Sequence, residues 1–163
     1  MYYAYIDVPK GETAHLRSSA ATSSSNVITE LPRGLRVAVD GSMDPFKNVK
    51  LWDGVDNLEG YVHRDCLSTG EIPFDDSQIW VPRYSTQSWK RSSHSGKEYL
   101  PVKRIQQDLK SIGYTQVGTA DGYFGQNTET AVKAFQKAKG LTVDGIFGKN
   151  SKQKLWDSID RRG

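Results

Sequence analysis

The sequence has few of the features on which membrane proteins and disulfide-stabilised proteins depend. Among its 163 residues there is one cysteine, Cys66, so no disulfide can form within the chain. No apolar run approaches the ~20 residues that an α-helix needs to cross a bilayer, and no membrane span is predicted. The N-terminal segment, MYYAYIDVPKGE, has neither the basic start nor the apolar stretch of a secretory signal peptide.

Metal ligands and strong charge are also scarce. No cysteine or histidine stands at metal-ligand spacing from His94, so we predict no metal and no cofactor and expect His94 to be solvated. The net charge of +3 is too small to indicate a nucleic-acid partner. Residues 99–163 are nevertheless mildly basic, with 11 basic and 6 acidic residues. This excess favours either a polyanionic surface or solvated, lysine-rich helix faces.

His63 and Cys66 are the one pair that suggests nucleophilic catalysis. They lie only three residues apart, whereas cysteine peptidases bring together Cys and His from distant parts of the sequence. A packed free thiol is the favoured interpretation of Cys66, and no catalytic residue is predicted.

Residues 1–69 contain short β-strand patterns separated by Gly, Pro and Ser. Leu35, Val37 and Val39 alternate with Arg36 and Ala38, the period of two expected of a half-buried strand. An LPRG turn precedes this strand, and an Asp-Gly turn and an NLEG turn follow it. Several short strands at this spacing predict a small all-β barrel.

This segment resembles the bacterial SH3-like domain. The resemblance rests on HLRSSAATSSSNVITELPRGLRVAV followed by VKLWDGVDNLEGYVHRDCLS, with Tyr61 where that family commonly has Trp and Cys66 where it often has an aromatic residue. It implies a non-catalytic SH3-like barrel of the kind attached to cell-wall hydrolases. Trp52 and Tyr61 then either form an aromatic face for sugar or peptide or belong to the barrel core.

Residues 70–98 show neither a helical nor an alternating period. They are predicted to form a connector that docks in part on the neighbouring domains, because its apolar residues are too numerous for a free linker. The apolar residues are Ile72, Phe74, Ile79, Trp80 and Trp89.

Residues 99–163 predict three amphipathic helices and therefore an all-α three-helix bundle. The apolar positions of the first are Val102, Ile105, Leu109 and Ile112, with Pro101 at its start and Gly113 at its end. The inward positions of the second are Ala131, Val132, Phe135 and Ala138, with Gly140 after them. The third is anchored by Leu155, with Trp156 and Ile159 beside it.

Two stretches in this region repeat each other, DGYFGQNT at 121–128 and DGIFGKNS at 144–151, and each precedes a predicted helix. An Asp-Gly pair is typical of turns, and the Phe that follows suits a core position. The repeat fits neither a phosphate-binding loop nor an EF-hand, and two equivalent turn residues are poor candidates for paired glycosidase carboxylates. We interpret it as a structural joint, with Thr128 and Ser151, or Asn127 and Asn150, as helix N-caps. The predicted structural turn residues are Asp121, Gly122, Phe124, Asp144, Gly145 and Phe147.

Residues 99–157 resemble the peptidoglycan-binding-like domain, a three-helix module of bacterial wall hydrolases. That family's pattern is V-x-x-L-Q-x-x-L-x-x-x-G, D-G-x-F-G-x-x-T-x-x-A-V-x-x-F-Q and G-L-x-x-D-G-x-x-G-x-x-T. The chain matches it from Val102 to Gly113, from Asp121 to Gln136 and from Gly140 to Ser151, with Ile105 for Leu and Ser151 for Thr.

Together, the two resemblances imply a non-catalytic, cell-wall-binding region of a wall hydrolase or endolysin, extracellular or in the cell wall. Such a chain is either an excised part of a longer protein, for example a phage-encoded lysin with a linked catalytic domain, or it leaves its cell by a route without a signal peptide. The expected partner is the peptidoglycan glycan or its stem peptide. The candidate contacts, chosen by residue type and expected loop position, are Trp52, Tyr61, Gln106, Tyr114 and Asn127. An unrecognised small wall hydrolase and a peptide-interaction module are the alternatives, and the sequence predicts no oligomeric state.

Overall fold

The structure, a computed structural model, describes residues 1–40, 44–52, 57–75 and 79–159. The chain divides into two compact units, one containing Met1–Ser85 and the other beginning at Thr86. The first unit holds a β-sheet and one short helix, and the second unit is helical. The predicted Asp53–Gly54 turn lies outside the described residues.

The strands and helices follow one another in two blocks. The strands are β1 (Tyr2–Ile6), β2 (Thr13–Arg17), β3 (Val27–Pro32), β4 (Arg36–Asp40), β5 (Phe46–Trp52), β6 (Asn57–His63) and β7 (Leu67–Ser68). The helices are α1 (Val81–Tyr84), α2 (Arg91–His94), α3 (Leu100–Ser111), α4 (Gln126–Ala138) and α5 (Lys149–Ser158). Single 3₁₀ turns cover Ser24–Asn26, Arg64–Cys66 and Thr115–Val117.

The seven strands form one antiparallel sheet in the order β3-β2-β6-β5-β4-β1-β7. Alternate residues of these strands face a single apolar core, as the period of two predicts for Val37 and Val39, which are buried. The remaining buried core residues are Ala4, Ile6, Val8, Ala14, Leu16, Leu31, Val49, Leu51, Leu58 and Val62.

The prediction of an SH3-like barrel is wrong, because the sheet is open. Its hydrogen-bonded order begins at β3 and ends at β7, and within the described residues these two edge strands do not pair with each other. The number and spacing of short apolar runs in a sequence indicate where strands form. Closure depends instead on tilt and register between the first and last strands, which a local pattern does not encode.

Helix α1 covers part of the edge strand β3. The Thr29 hydroxyl donates to the Val81 carbonyl over 3.1 Å, and the Ser85 hydroxyl donates to Glu30 Oε2 over 2.7 Å. Trp80 and Tyr84 are buried beside them. Residues 79–85 of the segment interpreted as a connector therefore belong to the first unit, where they protect an otherwise exposed strand edge.

Replacing Gly34 with alanine is expected to destabilise the first unit by about 2–4 kcal/mol. Gly34 has a φ of +81°, and a Cβ there would lie 2.5 Å from Cα of Phe74 and closer still to the carbonyl of Pro73. Gly11→Ala is the matched control, because Gly11 has a φ of +85° but nothing within 4 Å of the added Cβ. Urea unfolding should give about 1 kcal/mol for the control. Equal losses in the two variants would contradict the close approach.

The second unit is built on the apolar faces of α3, α4 and α5. Val102, Ile105 and Leu109 of α3 are fully buried, as are Ala131, Val132 and Phe135 of α4 and Leu155 of α5. Ala138, predicted to face inward, is exposed instead. It is the last residue of α4, so it lies on the predicted face but at the end of the helix, where it is not covered.

Residues 86–98 belong to this helical unit. Trp89 is 1% exposed and forms an isolated antiparallel bridge with Phe147, through N–H···O bonds of 3.1 and 2.8 Å. The Lys152 ammonium donates to the Gln87 carbonyl, and Lys152 is fully buried. This half of the predicted connector, which includes the short helix α2, is thus packed into the unit.

Candidate ligand-binding site

The first copy of the repeat is organised by the side-chain amide of Gln106, which is 1% exposed. Its Oε1 accepts from the Gly122 N–H over 2.8 Å. Its Nε2 lies within 3.2 Å of three acceptors, which are Asp121 Oδ1, the Tyr123 carbonyl and the Thr128 hydroxyl oxygen. Asp121 Oδ1 also accepts from the Tyr123 N–H over 3.0 Å. One buried amide therefore fixes the loop that leads into α4.

Gln136 does the same for the second copy. Its Oε1 accepts from the Asp144 and Gly145 N–H groups over 3.2 and 3.0 Å. Its Nε2 donates toward Asp144 Oδ1, the Ile146 carbonyl and the Ser151 hydroxyl oxygen over 3.0, 2.9 and 3.3 Å. Asp144 Oδ1 accepts from the Ile146 N–H over 2.9 Å. The sequence repeat is thus a repeat of one hydrogen-bond network.

The N-caps differ from those predicted. Helix α4 begins at Gln126 with Gly125 as its N-cap, and α5 begins at Lys149 with Gly148, in both cases without a capping side chain. Thr128 and Ser151 lie instead in the first helical turn, where they are buried and accept the hydrogen bonds from the two glutamines. Glycine is itself an accepted N-cap residue, and it frees the hydroxyls for this inward role.

The other residues of the repeat face the core or shape the turn. Phe124 and Phe147 are fully buried. Gly122 has a φ of +84°, and a Cβ there would lie 2.6 Å from Glu98 Cγ and 3.1 Å from the Tyr99 carbonyl. Gly145 has a φ of +74°. Both Asp-Gly pairs thus stand where a left-handed residue allows the chain to turn.

Asp121→Ala and Asp144→Ala are each expected to lower the free energy of unfolding of the helical unit by about 1 kcal/mol, because each removes an acceptor for one backbone N–H and one amide. Asp157→Ala is the control, since among the described residues this exposed carboxylate accepts from Gln153 on its own helix alone. Chemical unfolding of the three variants provides the measurement. Unchanged stability in both loop variants would show that these carboxylates do not brace the turns.

A cleft, which we call cleft A, lies against the first network. It has a volume of about 340 Å³ and runs between the loop before α4 and that helix's first turn. Tyr123 is 42% exposed beside it, and Asn127 is exposed at its edge. Its lining residues are Gln106, Val117, Thr119, Asp121, Tyr123, Gly125, Gln126, Asn127 and Thr128. The first N–H groups of a helix have no intrahelical acceptor, so this end of α4 offers hydrogen-bond donors.

A second cleft, cleft B, lies against the second network in the equivalent place. Its volume is about 440 Å³. Its lining residues are Gln136, Leu141, Thr142, Asp144, Ile146, Gly148, Lys149, Asn150 and Ser151. Seven of these align with lining residues of cleft A when the two repeats are superimposed in sequence: Thr142, Asp144, Ile146, Gly148, Lys149, Asn150 and Ser151.

The structure brings together two of the five candidate contact residues. Gln106 and Asn127 both line cleft A. Tyr114 does not, because its ring packs edge-on against Phe135 at 5.6 Å between centroids. Tyr123, which no candidate list from the sequence included, lines the cleft, and its place between the Asp-Gly pair and the buried Phe is the signal that could have identified it.

Trp52 and Tyr61 lie in the other unit, on the outer face of the sheet. Trp52 is 53% exposed and Tyr61 is half-buried. Trp52 pairs with Asn57 in the β5–β6 ladder, and Tyr61 pairs with Asn48. Four strand residues separate the two levels, a distance of roughly 13 Å, so they do not form one compact aromatic surface.

His94 is buried, contrary to the prediction of a solvated histidine. It is 8% exposed, and its ring lies 4.7 Å from that of Trp89 and 5.1 Å from that of Tyr99. The Lys90 N–H donates to Nδ1 over 3.1 Å, and the Phe124 N–H donates to the His94 carbonyl over 2.9 Å. His94 therefore connects the segment before α3 to the first repeat. Burial lowers the pKa of its imidazole below the usual 6.5, and the charge of Lys90 acts in the same direction.

The helical unit is expected to lose stability as the pH falls below about 6.5. A histidine whose folded-state pKa is lowered binds fewer protons in the folded state than in the unfolded state. Its contribution is present above 6.5 and is lost at lower pH. Amide hydrogen exchange of α3–α5, measured between pH 7.5 and 5, should show this decline, and His94→Gln should flatten it. An equal slope in the variant would assign the effect to other groups.

The environment of Cys66 does not activate a nucleophile. Burial raises the pKa of its thiol, and the carboxylate of Asp65 raises it further. Nucleophilic cysteines instead have a lowered thiol pKa. The nearby His63 accepts from the Asp65 N–H through Nδ1 and packs edge-on against Phe46.

The described residues contain neither a metal-ligand cluster nor a helix that could span a membrane. In the ranges 1–40, 44–52, 57–75 and 79–159, no three His, Cys, Asp or Glu side chains are grouped so that they could hold a metal ion. The same part of the chain contains no helix of the length and apolarity that crossing a membrane requires.

Comparison with known proteins places the clefts in a recognised region. Residues 99–155 match the family described as "Putative peptidoglycan binding domain". The N-acetylmuramoyl-L-alanine amidase CwlL of Bacillus licheniformis is 42% identical over 59 residues, which are 33% of this chain and 16% of the amidase. The spore cortex-lytic enzyme of Bacillus cereus is 37% identical over 75 residues, 46% of this chain and 27% of the enzyme.

Among solved structures, the SleB N-terminal domain is similar at 38% identity and a TM-score of 0.40, over 45% of this chain and 94% of that domain. The chain spans less than a third of the length of each of the two enzymes. It covers 94% of the SleB domain.

Proposed function

Because residues 99–155 belong to the peptidoglycan-binding domain family, we propose that this chain is a non-catalytic cell-wall-binding region. It would act in the cell wall or outside the cell. It would hold a linked hydrolase, of the bacterial wall-hydrolase or endolysin type, on its polymer. The match of this domain, with cleft A formed inside it, is the observation that carries the proposal.

Cleft A has the chemistry expected of a site for an N-acetylated sugar. The exposed ring of Tyr123 offers a flat apolar surface on which a pyranose ring can stack. The Asn127 amide both donates and accepts, as recognition of an N-acetyl group or hydroxyl requires. Gln106 contributes indirectly, because its buried amide holds the loop that carries Tyr123.

The outer face of the sheet offers a second, weaker contact. The guanidinium of Arg36 lies 3.7 Å from the centroid of the Tyr3 ring, and both side chains are exposed. Trp52 projects from the same face of β5, the neighbouring strand of β4. Two weak sites on one chain raise the overall affinity for a repeating polymer through effective concentration.

The absence of catalysis in this region is part of the proposal. The enzymes that resemble the chain do so over a small share of their own length, which fits a shared binding part and separate catalytic parts. The raised thiol pKa of Cys66 also argues against a nucleophile there. A linked domain would then supply hydrolysis, and this chain would supply attachment.

Co-sedimentation with purified insoluble peptidoglycan tests the proposal. The chain should be found in the pellet, and the double variant Tyr123→Ala/Asn127→Ala should shift at least fivefold toward the supernatant. Gln107→Ala, an exposed change one residue from Gln106 on α3, is the control and should bind as the parent does. Parent protein that stays wholly in the supernatant would overturn the proposal. Loss of turbidity in a wall suspension would show that the chain is an enzyme.

A further inference from the structure

Cleft B has the same framework as cleft A but different chemistry at the positions that face solvent. Ile146 replaces Tyr123, and Lys149 replaces Gln126. Ile146 is 38% exposed, and Leu141 is half-buried beside it. Cleft B therefore has no aromatic ring among its lining residues for stacking on a sugar, and it presents aliphatic surface and an ammonium group instead.

The position of Lys149 is unfavourable for the helix that contains it. Lys149 is the first residue of α5, and no acidic residue occupies the first turn. The N-terminus of a helix carries partial positive charge, so a cation there is repelled, whereas α4 has Gln126 at this position and Glu129 in its first turn. A residue that opposes a local rule is a candidate for a functional role. Lys149 and the free N–H groups of α5 together attract an anion.

The acidic group of cleft B is already engaged. Asp144 is an exposed lining residue, and its Oδ1 accepts from Gln136 Nε2 over 3.0 Å and from the Ile146 N–H over 2.9 Å. These two donors offset part of its negative charge within the loop. Lys149 has no comparable partner in the hydrogen bonds and ion pairs found among the described residues.

A hydroxyl on the wall of cleft B offers one further donor to an anion. Ser151 is 4% exposed, lines cleft B and accepts from Gln136 Nε2, but within the described part of the chain its own proton has no acceptor. A ligand oxygen in cleft B would accept this proton. Thr128 has the equivalent position in cleft A and the same spare donor.

We propose that cleft B is a second binding site, which takes the free carboxylate and small aliphatic side chains of a peptidoglycan stem peptide. Lys149, the first-turn N–H groups of α5 and the Ser151 hydroxyl bind the carboxylate. Ile146 and Leu141 contact alanine-sized side chains. Cleft A takes the sugar. This inference rests on the proposed function and adds that the two copies of the repeat recognise different parts of the same polymer.

NMR titration of the isotope-labelled full chain tests this assignment with three probes. They are a stem tetrapeptide with a free C-terminal carboxylate, the same peptide amidated at its C-terminus, and an N-acetylated disaccharide without peptide. The free-acid peptide should shift the amide signals of Lys149, Asn150 and Ser151, and amidation should weaken its binding at least fivefold. The disaccharide should shift the signals around Tyr123.

Two matched variants separate a binding role from a structural one. Lys149→Gln gives α5 the residue found at this position in α4. It should weaken binding of the free-acid peptide at least fivefold and leave binding of the disaccharide unchanged. Lys154→Gln removes an exposed charge from the same helix outside cleft B and should change neither. Shifts confined to cleft A, or equal affinity for the acid and amide peptides, would overturn the inference. Co-sedimentation with peptidoglycan by the parent would then still support the proposed function, and its failure there would overturn both.

Discussion

Gln106→Ala and Gln136→Ala are each expected to lower the free energy of unfolding of the helical unit by about 3 kcal/mol. Each glutamine is almost fully buried, and two of its partners are buried as well: Gly122 and Thr128 for Gln106, and Gly145 and Ser151 for Gln136. Truncation of Gln106 leaves the buried Gly122 N–H without its acceptor and the Thr128 oxygen without its donor. A buried polar group left without a partner costs about 1–3 kcal/mol, and each substitution leaves at least two such groups.

The two glutamines should behave alike because their networks are alike. Amide hydrogen exchange of α3, α4 and α5 is the appropriate measurement, since it reports the helical unit separately from the sheet. Gln107→Ala, at the neighbouring exposed position, should change these amides by less than ~0.5 kcal/mol. A loss of the same small size for Gln106→Ala would mean that the loop before α4 is held by other contacts.

Phe147→Ala is expected to have a still larger effect, about 3–5 kcal/mol in the same unit. The Phe147 ring is fully buried, with its centroid 6.3 Å from that of Phe135, and its backbone forms the bridge to Trp89. Removing the ring leaves a cavity beneath the second repeat and weakens the packing of the segment that contains Trp89. Phe124→Ala should be similar in size, because Phe124 is equally buried.

The neighbouring residue provides the control for Phe147. Ile146 is 38% exposed at the rim of cleft B, so Ile146→Ala should cost less than ~1 kcal/mol. Hydrogen exchange should also show whether Trp89 is released, since its N–H donates to the Phe147 carbonyl over 3.1 Å. If Phe147→Ala and Ile146→Ala had equal effects, the ring would not be a core contact.

The sequence was most informative where a local period governs burial. The spacing of Val102, Ile105 and Leu109 identified the buried face of α3, because helix geometry alone places those residues on one side. The strand alternation at Val37 and Val39 was equally direct. Ala138 is the exception, because it is the last residue of α4 and is exposed although it lies on the same face.

Features that depend on distant contacts were not predicted from the sequence. Whether seven strands close into a barrel depends on the relation of β3 to β7, and these strands are open to each other. The N-caps at Gly125 and Gly148 were missed because Thr128 and Ser151 are better capping residues by type. Their hydroxyls are instead engaged by glutamines 22 and 15 residues away, which no capping rule takes into account.

The candidate contact residues stay predictions, and the structure groups two of them. Gln106 and Asn127, two of the candidate contacts, line cleft A, whereas Tyr114, a third, packs against Phe135. Cleft B was not predicted from the sequence, because both repeats were interpreted as joints between helices. Each repeat does fix a helix start, and each also forms one wall of a cleft, so its structural role and its proposed binding role concern different atoms of the same loop.

Residues 86–98, the segment before α3, affect where this helical unit could be joined to another domain. The family match begins at residue 99, but Trp89 and His94 are bonded to the two repeats, and Lys152 reaches back to Gln87. A gene fusion that joined a new catalytic domain at residue 99 would discard these contacts and leave both loops without their support. The portable unit therefore begins near Thr86, and fusions made there should retain binding that fusions made at Tyr99 lose.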